Sequence, residues 1–474
     1  MSNSPHIIII GAGASGIIAA CNLISKGFTN VTILEAEDRI GGRIDSRRFN
    51  DGFIDFGAQW CSGQEGNSVY ELCHNDFEFG CTGFYDTNGF VGLISNGSRV
   101  DKQIFGKLSA VRSKIEDMID EMREFKGSIG EFFDQKYNQE LESSEYDDAD
   151  EEMREMVRKL WETEVNANYA STSWYKISAN RYSQVVVCEG SQDQTWRTSG
   201  YKTLFDIIQK KFKVEEVLKD KIQLNKKVDH INWDTDKIVI RTLDRHVYQA
   251  DHLIVTIPLG ALQAHHKLLF TPMLPEKKIK AIENIQFGTL GKVFLEFEEP
   301  FWKKLNNNFK VCAFLWTPED LDDIRGTDKE WLTNMYGFLH LDGFPYVLET
   351  LLGGNKMKEF ETYSDEKIEN DCIWLLEKFM KVKISRPIAM RRTRWLTREN
   401  FLGSYSYCSM NTAEKDVYPE DLKETVFNDN GKPMLLFAGE ATSSKFQGYV
   451  HGAIDTGREA AEKLIAYFEG LKEQ

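Results

Sequence analysis

His6-Ile7-Ile8-Ile9-Ile10-Gly11-Ala12-Gly13-Ala14-Ser15-Gly16 decides how the rest of the chain is read. Four consecutive isoleucines cannot alternate apolar and polar faces, so the run suits a strand covered on both sides, as in a parallel sheet. It feeds directly into the spacing Gly-x-Gly-x-x-Gly. Gly11 permits a tight turn, Gly13 lets the backbone approach a diphosphate, and Gly16 allows close packing of the following helix. That helix is expected to run to about Lys26, with its first N–H groups, at Ala14 and Ser15, facing the phosphates. After a turn at Gly27, Val31-Thr32-Ile33-Leu34 reads as a second strand ending at Glu35, 19 residues beyond Gly16. An acid at that place accepts from ribose hydroxyls and repels a 2′-phosphate.

The next segment, Glu35-Ala36-Glu37-Asp38-Arg39-Ile40-Gly41-Gly42-Arg43, adds a glycine pair between arginines. A simple NAD domain does not need this second site of close phosphate approach, so the pattern favours FAD, with Arg39 and Arg43 as fork-like phosphate donors. Composition agrees with an enzyme. Lysine plus arginine number 58 against 74 acids, a net charge of −16, which argues against a nucleic-acid binder, since that needs a basic face for phosphates. Apolar residues make up 41% of the chain, enough for a large core. The eight cysteines form no Cys-x-x-Cys pair, so neither a metal site nor a disulfide scaffold is signalled. The apolar stretch from His6 to Ile24 has no basic flank and is broken by glycines, so it is not a signal segment. No later window offers the roughly 20 apolar residues of a membrane span. Lys472-Glu473-Gln474 is not a peroxisomal tripeptide. The expectation is a soluble, cytoplasmic monomer or homodimer.

Further strands are expected at Lys237–Thr242, His246–Tyr248, Asp251–Ile257 (stopped by Pro258) and Met434–Ala438, the last ending at Gly439-Glu440. From Gly452 the spacing is helical. Leu108–Phe133 and Asp147–Val165 read as charged helical stretches. The acids Asp147, Asp148, Asp150, Glu151, Glu152 and Glu155 have two readings: attraction of a cationic substrate over distance, or a solvated helix face.

Taken together, GAGASG (11–16), LEAEDRIGGR (34–43), DFGAQW (55–60), ADHLIVTIPLGAL (250–262), GKVFLEF (291–297), GSYSY (403–407) and FAGEATSSKFQGYVHGA (437–453) resemble the flavin-containing amine oxidase family, in particular its polyamine oxidase branch (spermine or N1-acetylpolyamine oxidase-like). The blocks occur in family order. The resemblance implies an α/β chain in which a Rossmann-like FAD domain of the glutathione-reductase type (1–65, 196–284 and 396–474) is interleaved with an α+β substrate domain (66–195 and 285–395). It implies a cofactor contact surface that adds Gly57, Ala58, Gln59, Trp60, Val228, Pro258, Trp395, Gly439, Gly448, Tyr449 and Val450 to the residues above. Glu440 takes the place of the glutamate that binds the flavin's ribityl chain. The start of the helix after Gly452 would set a positive dipole end against the flavin.

By the same resemblance, Lys292 holds a water near flavin N5, and Tyr405, Tyr449 and Trp395 wall the substrate channel. Strict alternation along Gly291–Phe297 sets Lys292, Phe294 and Glu296 on one face and Val293, Leu295 and Phe297 on the other. Ser404 stands where monoamine oxidases carry the flavin-linking cysteine, and Cys408 does not match that position, so FAD is expected to be noncovalent. Trp60 is followed by Cys61 and Ser62 where polyamine oxidases usually carry Glu or His two places on, so Ser62 becomes the substrate contact. Glu162, Glu164 and Glu189 are all candidates for a distal family acid. The expected partners are a polyamine and O₂, with hydride transfer to flavin, imine hydrolysis and H₂O₂ as the reaction. The alternatives are an L-amino-acid oxidase, for which Arg394 is the conceivable carboxylate anchor, and a catalytically idle flavoprotein acting as a binding module.

Overall fold

The computed structural model describes residues 4–83 and 87–472; Glu473 and Gln474 of the C-terminal tripeptide lie outside the described residues. The isoleucine run forms the strand Ile7–Ile10, every residue of it buried. It lies between His252–Val255 and Val31–Leu34, parallel to both. Pro433–Phe437 and Ile222–Gln223 extend this sheet in parallel, and Val426–Phe427 closes one edge in the antiparallel sense. The helices Ala14–Ser25 and Val450–Lys472 pack on each other over the sheet. They pack tightly at Gly457, where a Cβ would stand 2.3 Å from the Ser15 carbonyl oxygen. Both helices therefore begin at the same end of the sheet, beyond the carboxyl ends of its parallel strands, where open α/β sheets bind ligands.

A four-stranded sheet joins Val247–Ala250, Ile238–Thr242, Val228–Asn232 and Phe270–Thr271. A six-stranded sheet orders Ala389–Arg392, Gly291–Glu296, Val347–Leu352, Gly337–His340, Val311–Leu315 and Phe90–Ile94, and is antiparallel except for its last pair. Helices Ile129–Glu140 and Glu151–Asn168 pack their aromatic and aliphatic faces beside this sheet around Trp161 and Trp174.

Two expectations are corrected. The stretch Leu108–Phe133 is not one helix but parts of three, Lys102–Glu116, Ile119–Glu124 and Ile129–Glu140. The last begins afresh because Ser128 and Glu131 form a reciprocal capping box. The C-terminal helix starts at Val450, two residues before Gly452. The two faces of Gly291–Glu296 separate as the alternation sets them, Val293 and Leu295 with Phe297 in one apolar cluster and Phe294 in another, and because both faces are covered Lys292 is buried as well. No helix among the described residues is long and apolar enough to cross a membrane.

Candidate functional site

One cavity of about 1080 Å³ is lined both by the glycine loop and by the aromatic residues Trp395, Tyr405 and Tyr449. At the glycine loop the backbone leaves room for a ligand. Gly11 has φ +103°, and a Cβ there would strike the Thr256 hydroxyl at 2.5 Å. Gly16 needs to be glycine for the opposite reason, since a Cβ would overlap the Gly11 carbonyl at 2.0 Å; it packs the helix and does not line the cavity. The helix is capped by Gly13 with no side-chain acceptor, and its first internal hydrogen bond is Ile17 N–H to the Gly13 carbonyl. The N–H groups of Ala14 and Ser15 are therefore without helical acceptors. Ser15 adds a buried hydroxyl with no hydrogen-bond partner, at the cavity wall. A diphosphate satisfies this donor set, so the residues present fit a dinucleotide.

Glu35 lies at the cavity beside Ala36, with its carboxylate accepting from Ala12 N–H at 2.6 Å and Glu37 N–H at 2.8 Å. Burial raises its pKa, those two backbone donors acting against the shift. Gly41 and Gly42 line the cavity with φ +107° and +58°, and Gly41 pairs with Gly13. Arg39 does not reach it. Its guanidinium is used within the loop, on the carbonyls of Ile40, Gly42 and Ile44 and the carboxylate of Asp45. Arg43 does line the cavity, donating to the Ser404 carbonyl at 2.8 Å and to Glu440 Oε1 at 2.7 Å. The other Glu440 oxygen accepts from Ser406 Oγ at 2.6 Å, Gly448 N–H at 3.0 Å and Ser406 N–H at 3.3 Å. Glu440 thus ties three loops together at the cavity wall. Gly57, Ala58, Val228, Pro258, Gly439, Gly448 and Val450 line the same space.

Lys292 is buried where the glycine-loop half meets the aromatic half. Its Nζ donates to the Asp55 carbonyl at 3.0 Å and to Gln59 Oε1, and lies 3.6 Å from Glu349 and 5.3 Å from the centre of the Trp60 ring. Burial pushes its ammonium below the ordinary lysine range, Glu349 and Asp55 opposing the shift. Burial likewise raises the Glu349 and Asp55 carboxyls, the latter to about 6. Gln59, Trp60 and Ser62 line the cavity, and the Trp60 Nε1–H has no acceptor.

Tyr405 donates its hydroxyl to the carbonyls of Ala167 and Asn168 at 3.0 and 3.1 Å, which locks the ring. Gly448 packs on that ring, and Tyr449 next to it stacks on His451 with centroids 5.0 Å apart. Trp395 is held by its indole N–H on the Phe56 carbonyl at 3.1 Å, and by Glu361, which accepts from the backbone of Trp395, Leu396 and Thr397. All three rings line the cavity.

Of the candidate distal acids, Glu164 lines the cavity and takes a bidentate pair from Arg112 at 2.6 and 3.1 Å; Glu162 pairs with Lys159 away from it. Glu189 contributes its carbonyl to Gln64 and Glu65 N–H and does not line the cavity. The acidic run at 147–155 stays outside, Asp148 on Lys107, Glu155 on Arg158 and Asp150 capping its helix. Sequence reasoning missed Glu349, which pairing alone brings to Lys292, and the cavity-lining rings of Tyr169 and Tyr182. An acid inside the apolar strand Val347–Leu352 was the available signal for the first; no spacing marked the tyrosines.

Comparison with known proteins gives the same picture. The family described as flavin containing amine oxidoreductase matches residues 14–465. A peroxisomal N(1)-acetyl-spermine/spermidine oxidase from Bos taurus is 28% identical over 98% of this chain and 95% of its own length. Polyamine oxidase 2 from Arabidopsis thaliana is 28% identical over 97% of this chain and 88% of its own. A lysine-specific histone demethylase 2 from Homo sapiens is also 28% identical, over 98% of this chain but 54% of its own length. A solved structure of putrescine oxidase bound to putrescine shares the fold with a TM-score of 0.71, covering 98% of this chain and 99% of that one at 15% identity.

Proposed function

The chain belongs to the flavin-containing amine oxidoreductase family and takes FAD as its cofactor, and from that premise we propose that it oxidises polyamines, with spermine, spermidine or their N-acetyl forms as substrates. The observation that carries this reading is the single cavity shared by a diphosphate-ready helix start, a buried lysine and three locked aromatic rings. Bound FAD supplies a two-electron acceptor for hydride from the carbon next to an amine nitrogen, and O₂ restores it with release of H₂O₂.

The protein's own residues prepare that step. Gly13, Ser15, Gly41 and Gly42 hold the diphosphate, and Glu35 accepts from ribose hydroxyls. Tyr405, Tyr449 and Trp395 form an apolar, electron-rich slot. An amine there loses water, which lowers its pKa and favours the unprotonated form that can release hydride. Lys292 presents an N–H toward the cavity that orients the water for imine hydrolysis. FAD is held noncovalently, and the chain divides at 65/66, 195/196, 284/285 and 395/396 into a cofactor domain and a substrate domain whose residues meet at the shared cavity. An amino-acid oxidase would need a free arginine for the carboxylate. Arg394 pairs with Asp365 and does not line the cavity, while Arg112, which does, is engaged by Glu164 and Glu116. This favours the polyamine reading. Anaerobic mixing with each candidate amine should bleach the flavin absorbance, and leucine should not; if no polyamine bleaches it, the substrate assignment is wrong.

A further inference from the structure

Glu349 has no role in the chemistry above, yet its position is costly. Its side chain is 1% exposed, in a strand of otherwise apolar or small residues. Oε2 accepts from Gln59 Nε2 at 2.7 Å, while Oε1, 3.6 Å from Lys292 Nζ, has no hydrogen-bond partner. A buried carboxylate with an idle oxygen persists only beside a cation. Gln59 can face only one way between these groups. With its NH₂ on Glu349 its carbonyl must meet the lysine, since the flipped amide would set donor against donor. An ammonium has three N–H groups. Two are taken by the Asp55 carbonyl and Gln59, leaving one for the cavity that Lys292 lines.

We propose that Glu349 is a positioning residue that keeps Lys292 charged and, through Gln59, aims its remaining N–H into the cavity. The inference rests on the role given to Lys292 above. Asp55 is the other titratable group acting on the lysine; its carboxylate is turned away, onto Ser46 Oγ and Tyr201 N–H, so only its carbonyl meets the ammonium. Glu349 has Lys292 as its charged neighbour.

The test uses the holoenzyme reduced with dithionite and mixed with O₂, so no amine is needed. The rate of reoxidation is followed against pH in wild type and in Glu349→Gln. The substitution keeps the shape and removes the anion, so the lysine gives up its proton more readily. Two unit charges 3.6 Å apart in a partly screened site support a fall in the midpoint of more than about one pH unit. An unchanged midpoint, or a wild-type profile without a lysine-dependent limb, overturns the proposal. A second measurement does not depend on Glu349→Gln folding. In Lys292→Met the carboxylate loses its countercharge and takes a proton, so the infrared spectrum should gain a protonated-carboxyl band that wild type lacks. Absence of that band also overturns it. Failure of every polyamine to reduce the flavin, with both signatures present, refutes the substrate reading and leaves this one standing.

Discussion

Replacing Glu440 by glutamine tests whether one buried carboxylate holds the cofactor side of the cavity together. The carboxylate has four donors to satisfy: Arg43 on one oxygen, and Ser406 Oγ, Ser406 N–H and Gly448 N–H on the other. An amide offers one oxygen and one NH₂. Whichever way it turns, its NH₂ faces a donor, either the guanidinium or the three groups of Ser406 and Gly448. Breaking a buried charge pair costs about 3–5 kcal/mol. The Arg43 side chain is 23% exposed and can recover some hydration, which places the cost near the lower figure. Because the loops that part are the ones lining the cavity, about 3 kcal/mol appears as a roughly 100-fold weaker affinity of the apoprotein for FAD. Titration of apoprotein with FAD, followed by flavin fluorescence, measures it. A variant that binds FAD within about threefold of wild type would refute the reasoning.

Ser15→Ala should leave the fold intact while weakening FAD binding about three- to tenfold, the worth of one hydrogen bond made only with ligand present; equal affinity would remove Ser15 from the diphosphate site. Lys292→Met should retain FAD and lose about 10²–10⁴-fold in turnover, measured as peroxide release, and a rate within tenfold of wild type would deny it the assigned role. Asp55 carries the pH prediction. Burial lifts its folded-state pKa from 3.8 to about 6, so the folded protein holds a proton that the unfolded chain releases. The stability this contributes is full below about pH 4 and declines as pH rises to about 6, by up to about 3 kcal/mol. Urea denaturation across that window should show the decline in wild type and a flatter profile in Asp55→Asn; identical profiles would refute it.

The cofactor half was legible because its signals are local. The strand Ile7–Ile10, the turn at Gly11–Gly16 and the acid at Glu35 all lie within one βαβ unit, and Gly11 and Gly16 have steric reasons that sequence spacing already carries. Arg39 shows where that reasoning stops: a basic residue beside glycines fits phosphate binding and loop bracing equally, and only the carbonyl positions of Gly42 and Ile44 decide for bracing. The chemistry of Lys292 was legible only through resemblance. Alternation assigns its side chain to a face without telling whether that face is covered, and its partner Glu349 reaches it through strand pairing that no local pattern encodes. The helical region at 108–133 held a readable restart signal, Ser128-x-x-Glu131, that divides it and that the charge pattern concealed.

The central claim is that cofactor and substrate share one cavity with Lys292 at their junction. A crystal structure of the protein with FAD tests it most directly. The diphosphate should lie on Ser15 and the start of the helix Ala14–Ser25, with the flavin ring between Lys292 and the rings of Tyr405 and Tyr449. A flavin ring remote from Lys292, or a diphosphate bound elsewhere, would contradict it.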